Sequence, residues 1–261
     1  MNILKIYKLL CLILLVTLAG CTKNRESNLP KEGEVVTWKQ TDELIVKATL
    51  GARREHIVDT HCKRCERDFY RPELENYLGQ FPLGYRPEKF DKISLEEAKA
   101  LKYSDAVRAL EFYLTLNGKN IKATDQYSID DIDQIRVRVE RLSIDFREKN
   151  MTTQKVFIDS EDEKYVKLDS KFRKYDLDCY VSSYADHHFL CYGKSKNGGV
   201  LLKAIQNDFS SFRSLQGDNY EYGKYGGIRI TWETDVKNLE KWKEIDEEIW
   251  KLLEIWNVSP N

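Results

Sequence analysis

No excess of one charge marks this sequence: 42 Lys and Arg stand against 43 Asp and Glu, at a pI near 6.5. A protein that grips nucleic acid through its phosphates normally shows a basic surplus, so a general nucleic-acid binder is excluded. Long apolar runs are missing beyond the N-terminus, and a mean hydropathy of -0.58 excludes a multi-span membrane protein. The motifs of familiar catalytic sites are absent too. There is no G-x-S-x-G elbow, no H-E-x-x-H, no phosphate-cradling Gly-rich loop and no G-x-G-x-x-G. The acidic runs 130–133 and 159–163 lack the Gly and closing Glu of a calcium loop, and read as solvated turns. Together these absences lean away from an enzyme and toward a protein that works by binding.

What is present begins at residue 1. Residues 1–21 read MNILKIYKLLCLILLVTLAGC. Lys5 and Lys8 form a positive start, an apolar stretch runs from Leu9 to Ala19, and small residues lead to Cys21. This is the layout of a secretory signal. The stretch is shorter than the roughly 20 residues a helix needs to span a bilayer. It also lacks the polar face, at helical spacing, of an amphipathic core helix.

Leu18-Ala19-Gly20-Cys21 resembles the lipobox of bacterial lipoproteins. The resemblance implies that the Cys21 thiol is joined to diacylglycerol, that residues 1–20 are cut away, and that the new N-terminus is acylated. Several chains on one residue give a stable membrane anchor, since each buried CH₂ contributes about 0.8 kcal/mol. Thr22 follows, not Asp. By that family's sorting tendency, the expected place is the outer membrane, facing the periplasm. Loss of Lys5 and Lys8 makes the remaining chain slightly acidic. Residues 21–34 hold Pro30 and Gly33 and no aliphatic cluster, and read as a lipidated, flexible spacer ahead of a single domain over 35–261.

Six cysteines become four in that domain: Cys62, Cys65, Cys179 and Cys191. An even set in an oxidising compartment reads as a disulfide framework. Cys179 and Cys191 flank a turn near 184–186, which sets them opposite one another on a hairpin and leaves Cys62 with Cys65. Bridges crossed between the two segments are the competing arrangement. All four histidines lie in the same segments, so His56, His61, Cys62, Cys65 and His187 are the candidate ligands of an alternative zinc site. The second segment lacks a close Cys pair, and adjacent His187 and His188 would point to opposite faces of a strand. Disulfides with no cofactor and zinc with an envelope enzyme or metal carrier therefore stand side by side. Cys62-Lys63-Arg64-Cys65 has the spacing of a redox motif, but GARREHIVDTH before it is too polar for the buried strand such a motif follows.

The pattern along the domain is α+β. EVVTWKQ and ELIVKATL alternate as short strands. Ser94-Leu95-Glu96-Glu97 is a capping box that predicts a helix over about 95–103, and a second central helix is possible after Ser104. ALEFYLTLNG equally reads as a strand entering a turn at Asn117-Gly118. In QIRVRVERLSIDF, Ile135, Val137 and Val139 share one face, opposite Arg136, Arg138 and Glu140. TQKVFIDS, the segments around Cys179 and Cys191, GKSKNGGVLLKAI and GGIRITWET continue the strands. Asn197-Gly198-Gly199 marks a hairpin. Last come Leu239, Trp242, Ile245, Ile249, Leu252, Leu253 and Trp256 at helical spacing, with Asp246 assigned to the polar face. The expectation is an antiparallel sheet of hairpins packed against a long C-terminal helix.

A lipobox, a short spacer and a small motif-poor domain with few cysteines is a layout similar to that of the periplasmic immunity lipoproteins that accompany type VI secretion effectors. The resemblance implies a protein partner, a toxic enzyme bound and blocked in the periplasm, with the membrane reached only through the lipid.

Overall fold

Alternation of apolar and polar residues builds the sheet. In the computed structural model, which describes residues 32–50, 89–103, 109–118, 120–124, 131–143, 153, 172–181, 189–206 and 213–260, strand β5 is Gln134–Arg141. Its Ile135, Val137 and Val139 are fully buried, while Arg136 and Arg138 are exposed on the opposite face. In chain order the other strands are β1 (Val35–Lys39), β2 (Ile45–Thr49), β3 (Ala109–Asn117), β4 (Asn120–Thr124), β6 (Phe172–Lys174), β7 (Leu177–Val181), β8 (Phe189–Ser195), β9 (Gly198–Gln206), β10 (Arg213–Glu221) and β11 (Ile228–Asp235). Strands β3 to β11 form one antiparallel sheet in the order β4-β3-β5-β11-β10-β9-β8-β7-β6. Strands β1 and β2 pair separately.

The C-terminal segment supplies the second layer. Asp235 accepts from the Lys237 N–H at 2.9 Å and starts a 3₁₀ turn over Val236–Lys241, which runs into helix α2, Trp242–Trp256. All seven apolar positions picked out by helical spacing are buried. Trp256 meets Phe112 edge-on at 5.2 Å, and Trp250 stacks on Tyr225 at 5.7 Å. Fully burying side chains of this size contributes roughly 1.5–3 kcal/mol each, so α2 is held by its apolar stripe. Asp246 departs from expectation: it is fully buried rather than on the polar face.

Past α2 the chain is stitched to the small hairpin. Asn257 Oδ1 accepts from the Ile45 N–H at 3.1 Å, and the Val258 N–H donates to the Ile45 carbonyl at 2.7 Å. Ser94 caps helix α1 (Leu95–Ala100) by accepting from the Glu97 N–H at 3.1 Å. ALEFYLTLN resolves as strand β3, entering its turn through Gly118 at φ +63°. TQKVFIDS and residues 104–108, where a second central helix was expected to begin, lie outside the described residues save for Thr153.

One central strand is not visible in the pattern. β10 reads RSLQGDNYE, with Gly217, Asp218 and Asn219 at its middle. A Cβ on Gly217 would run into the Trp232 indole from neighbouring β11, so the glycine makes room for a fully buried tryptophan. Packing against β11 and β9 overrides the poor strand propensity of these residues.

Candidate functional site

The face of the sheet turned away from α2 carries a ladder of alternating charge. Arg136 and Arg138 on β5 reach Glu111 on β3, at 2.8 and 3.9 Å. Arg138 also meets Glu140 at 3.3 Å, and Glu140 meets Arg229 on β11 at 3.5 Å. Arg229 in turn binds Asp218 on β10 at 2.6 Å, and Lys203 on β9 closes the row at 4.0 Å. Asp218 is wholly buried and also accepts from Thr231 Oγ1 and Gln216 Nε2. Burial works against the Arg229 charge, but Asp218, Tyr220 and Glu140 more than offset it and hold the guanidinium protonated. A ladder so completely paired within itself orders the sheet and leaves few free charges for a ligand.

At the end of the sheet the balance reverses. β6 and β7 are joined by the two residues Tyr175 and Asp176, both with left-handed backbone, at φ 51° and 60°. Among the described residues these are the non-glycine positions with positive φ. That pair of conformations is the tight turn that matches the strand twist, usually taken by Asn or Gly. Tyrosine is a poor resident there, and the turn is clamped from outside. Trp242 Nε1 donates to the Tyr175 carbonyl at 2.9 Å, and Lys243 Nζ donates to Asp176 Oδ2 at 2.7 Å. Lys243 beside it holds the Asp176 carboxyl below the usual carboxylate range. At the third residue pair from the turn, Phe172 stands opposite Cys179, which is disulfide-bonded to Cys191 on β8.

The clamped turn displays aromatic surface. Phe172 is 39% exposed and Tyr175 44% exposed, two large apolar side chains within four residues. Phe172 packs edge-on against Phe189 at 6.4 Å, and Lys174 lies over the Tyr175 ring at 5.0 Å. Every residue of β6 is exposed, and among the described residues no strand pairs along its outer edge. Aromatic and basic side chains on a rigid support are the composition of protein-interface anchors.

A polar cluster sits on the other face, beneath α2. Trp250 Nε1 donates to Asp246 Oδ1 at 3.2 Å, while Oδ2 has no hydrogen-bond partner. Burial pushes the Asp246 carboxyl up to about 6, and neighbouring Ser195, Trp250 and Asn219 pull it back only in part. The group is sealed from solvent, which makes it a feature of stability.

The sequence-derived candidates divide sharply. Cys179 and Cys191 are paired in register and bridged, as the hairpin reading expected, so neither enters a crossed bridge. Cys21, Cys62, Cys65, His56, His61 and His187 lie outside the described residues. Among the described residues, no group of three or more His, Cys, Asp or Glu is placed to hold a metal ion, and no helix is long and apolar enough to cross a membrane. Phe172 and Tyr175 were missed. The available signal was the aromatic-basic string FRKY before a short polar break, without the Gly or Asn that usually announces such a turn.

No family model matches the chain, and no curated protein matches it. Among solved structures, it is similar to an immunity protein of the Stenotrophomonas maltophilia type IV secretion system, with a TM-score of 0.39 and 7% identity, over 59% of this chain and 85% of that one. A likeness that remote carries no argument about what this chain binds.

Proposed function

We propose that this chain is a lipid-anchored protein of the bacterial envelope that acts by binding another protein, and that the partner is a toxic effector delivered by a secretion system. The observation that carries the binding half is the clamped turn with exposed Phe172 and Tyr175. A domain gains little stability from holding an aromatic residue in left-handed backbone with nearly half of it exposed. Rigid presentation does serve recognition, because the anchor loses little freedom when a partner closes over it. Leu18-Ala19-Gly20-Cys21 supports the address: Cys21 carries diacylglycerol and an N-acyl chain, residues 1–20 are removed, and residues 21–34 span from the outer membrane to the domain over 35–261.

Two measurements test the two halves. Cells fed an alkyne-tagged palmitate should label the wild-type protein, and Cys21→Ala should abolish the label and release the protein from the membrane fraction. Purified protein lacking residues 1–21 should form an isolable complex with the product of the adjacent gene and inhibit its toxicity. An unlabelled wild type overturns the anchor, and no complex with any secreted neighbour overturns the immunity role.

A further inference from the structure

We propose that the outer edge of β6 is a docking edge that takes an extended acidic segment of a protein partner as a further strand of the sheet; this rests on the reading that the chain acts by binding protein. The backbone supplies the first reason. β6 and β7 meet across a two-residue turn, with Lys174 opposite Leu177, Arg173 opposite Asp178 and Phe172 opposite Cys179. In such a hairpin the pair flanking the turn exchanges hydrogen bonds, and the next residue points its N–H and C=O the other way. Arg173 therefore offers its backbone donor and acceptor to the open edge. Among the described residues no strand pairs along this edge, and such an edge is what strand addition requires.

The side chains supply the second reason, and they define the partner. Phe172 and Lys174 share one face of the strand and Arg173 takes the other. Arg173 is 72% exposed, and its ion pair with equally exposed Asp178 is long, at 4.0 Å. An exposed pair at that distance holds little energy and yields readily to a better carboxylate. Lys174 has its ammonium over an exposed ring. A complementary strand would carry an apolar side chain opposite Phe172 and carboxylates opposite Arg173 and Lys174. The third reason is preorganisation. The hairpin is fixed at its turn by Trp242 and Lys243, and at its far strand by the Cys179–Cys191 bridge. A fixed edge spares an incoming strand much of the ordering cost of association.

The test uses a synthetic nonapeptide of repeated Val-Glu-Glu, which can set Val opposite Phe172 and carboxylates opposite Arg173 and Lys174, its Val-Lys-Lys counterpart, and the complex with the adjacent gene product. The acidic peptide should bind and the basic one should bind at least tenfold more weakly. On binding, amide exchange at Arg173 should slow at least tenfold, while exchange within β5 stays unchanged. Arg173→Pro removes the outward N–H and should abolish binding. Should that variant not fold, Arg173→Glu with Lys174→Glu, both at exposed positions, should weaken the acidic peptide tenfold or more. Tyr175→Asn keeps a residue that accepts left-handed backbone, and should retain the edge while losing part of the affinity. Equal binding of the two peptides, no binding of the acidic one at millimolar concentration, or unchanged Arg173 exchange overturns the proposal. An effector complex that forms equally with wild type and the edge variants overturns it as well, yet leaves protein binding standing. Absence of any effector complex strikes the functional reading instead.

Discussion

Among the described residues each face of the sheet buries one aspartate completely, and the two are treated in opposite ways. Asp218, on the face away from α2, is met by Arg229 at 2.6 Å, by Thr231 and Gln216, and by Lys203 at the edge of ion-pair range. Asp246, under α2, has the Trp250 indole donor at 3.2 Å with the polar groups of Ser195 and Asn219 nearby, and among the described residues no cation pairs with it. A buried carboxylate needs a countercharge or it moves toward neutrality. The difference teaches where charge is structural here. On the face away from α2, ion pairs run across β3, β5, β11, β10 and β9 and tie together strands far apart in sequence. Beneath the helix, apolar packing does that work, and the single acid is a weakness within it.

The contrast can be broken most severely at Asp218. Asp218→Ala should lower stability by about 3 kcal/mol in urea melts, because breaking a buried pair strands its partner. The loss falls at the low end of the usual range because Arg229 keeps Glu140 at 3.5 Å. At the edge of the sheet, Cys179→Ala with Cys191→Ala should cost about 2–3 kcal/mol through a looser unfolded chain. The loss should appear as a lower melting temperature, with faster amide exchange concentrated in β6 and β7.

Asp246 should respond with the opposite sign. Its folded pKa of about 6 lies above the usual 3.8, so the folded state binds the proton more tightly than the unfolded state. Stability from this group is greatest below the usual value, falls as pH rises toward about 6, and is flat above. Wild type should therefore gain roughly 1–1.5 kcal/mol between pH 7.5 and pH 5. Asp246→Asn should be more stable than wild type by about 2 kcal/mol at pH 7.5 and lose that pH response. A destabilised, still pH-dependent variant would mean that the carboxylate has a partner beneath the helix. The smallest effect is expected away from either face: Ser94→Ala removes the α1 cap and should cost about 1 kcal/mol.

Much of the scaffold was legible because its signals are local. The alternation in β5, the Gly198 hairpin, the Ser94 cap and the stripe of α2 each need only a few neighbouring residues to be recognised, and the structure places them as their patterns require. The Cys179–Cys191 pairing was legible for the same reason, since both cysteines lie symmetrically about one turn. The candidate site was not. Tyr175 adopts left-handed backbone under a clamp from Trp242 and Lys243, 67 residues further along. Nothing beside Tyr175 in the chain announces that clamp.

By itself the sequence determined the alternating strands and the helix that covers them, because apolar periodicity acts between near neighbours. The tertiary structure alone decided that RSLQGDNYE is a central strand, that Asp246 is sealed under α2, and that Phe172 and Tyr175 are exposed at the end of the sheet. Those outcomes depend on which strands meet. β11 lies between β5 and β10, so Gly217 is read against Trp232 and Asp218 against Arg229 only after the sheet has assembled. Long-range packing sets the register, and the register decides which side chains are buried, paired or displayed.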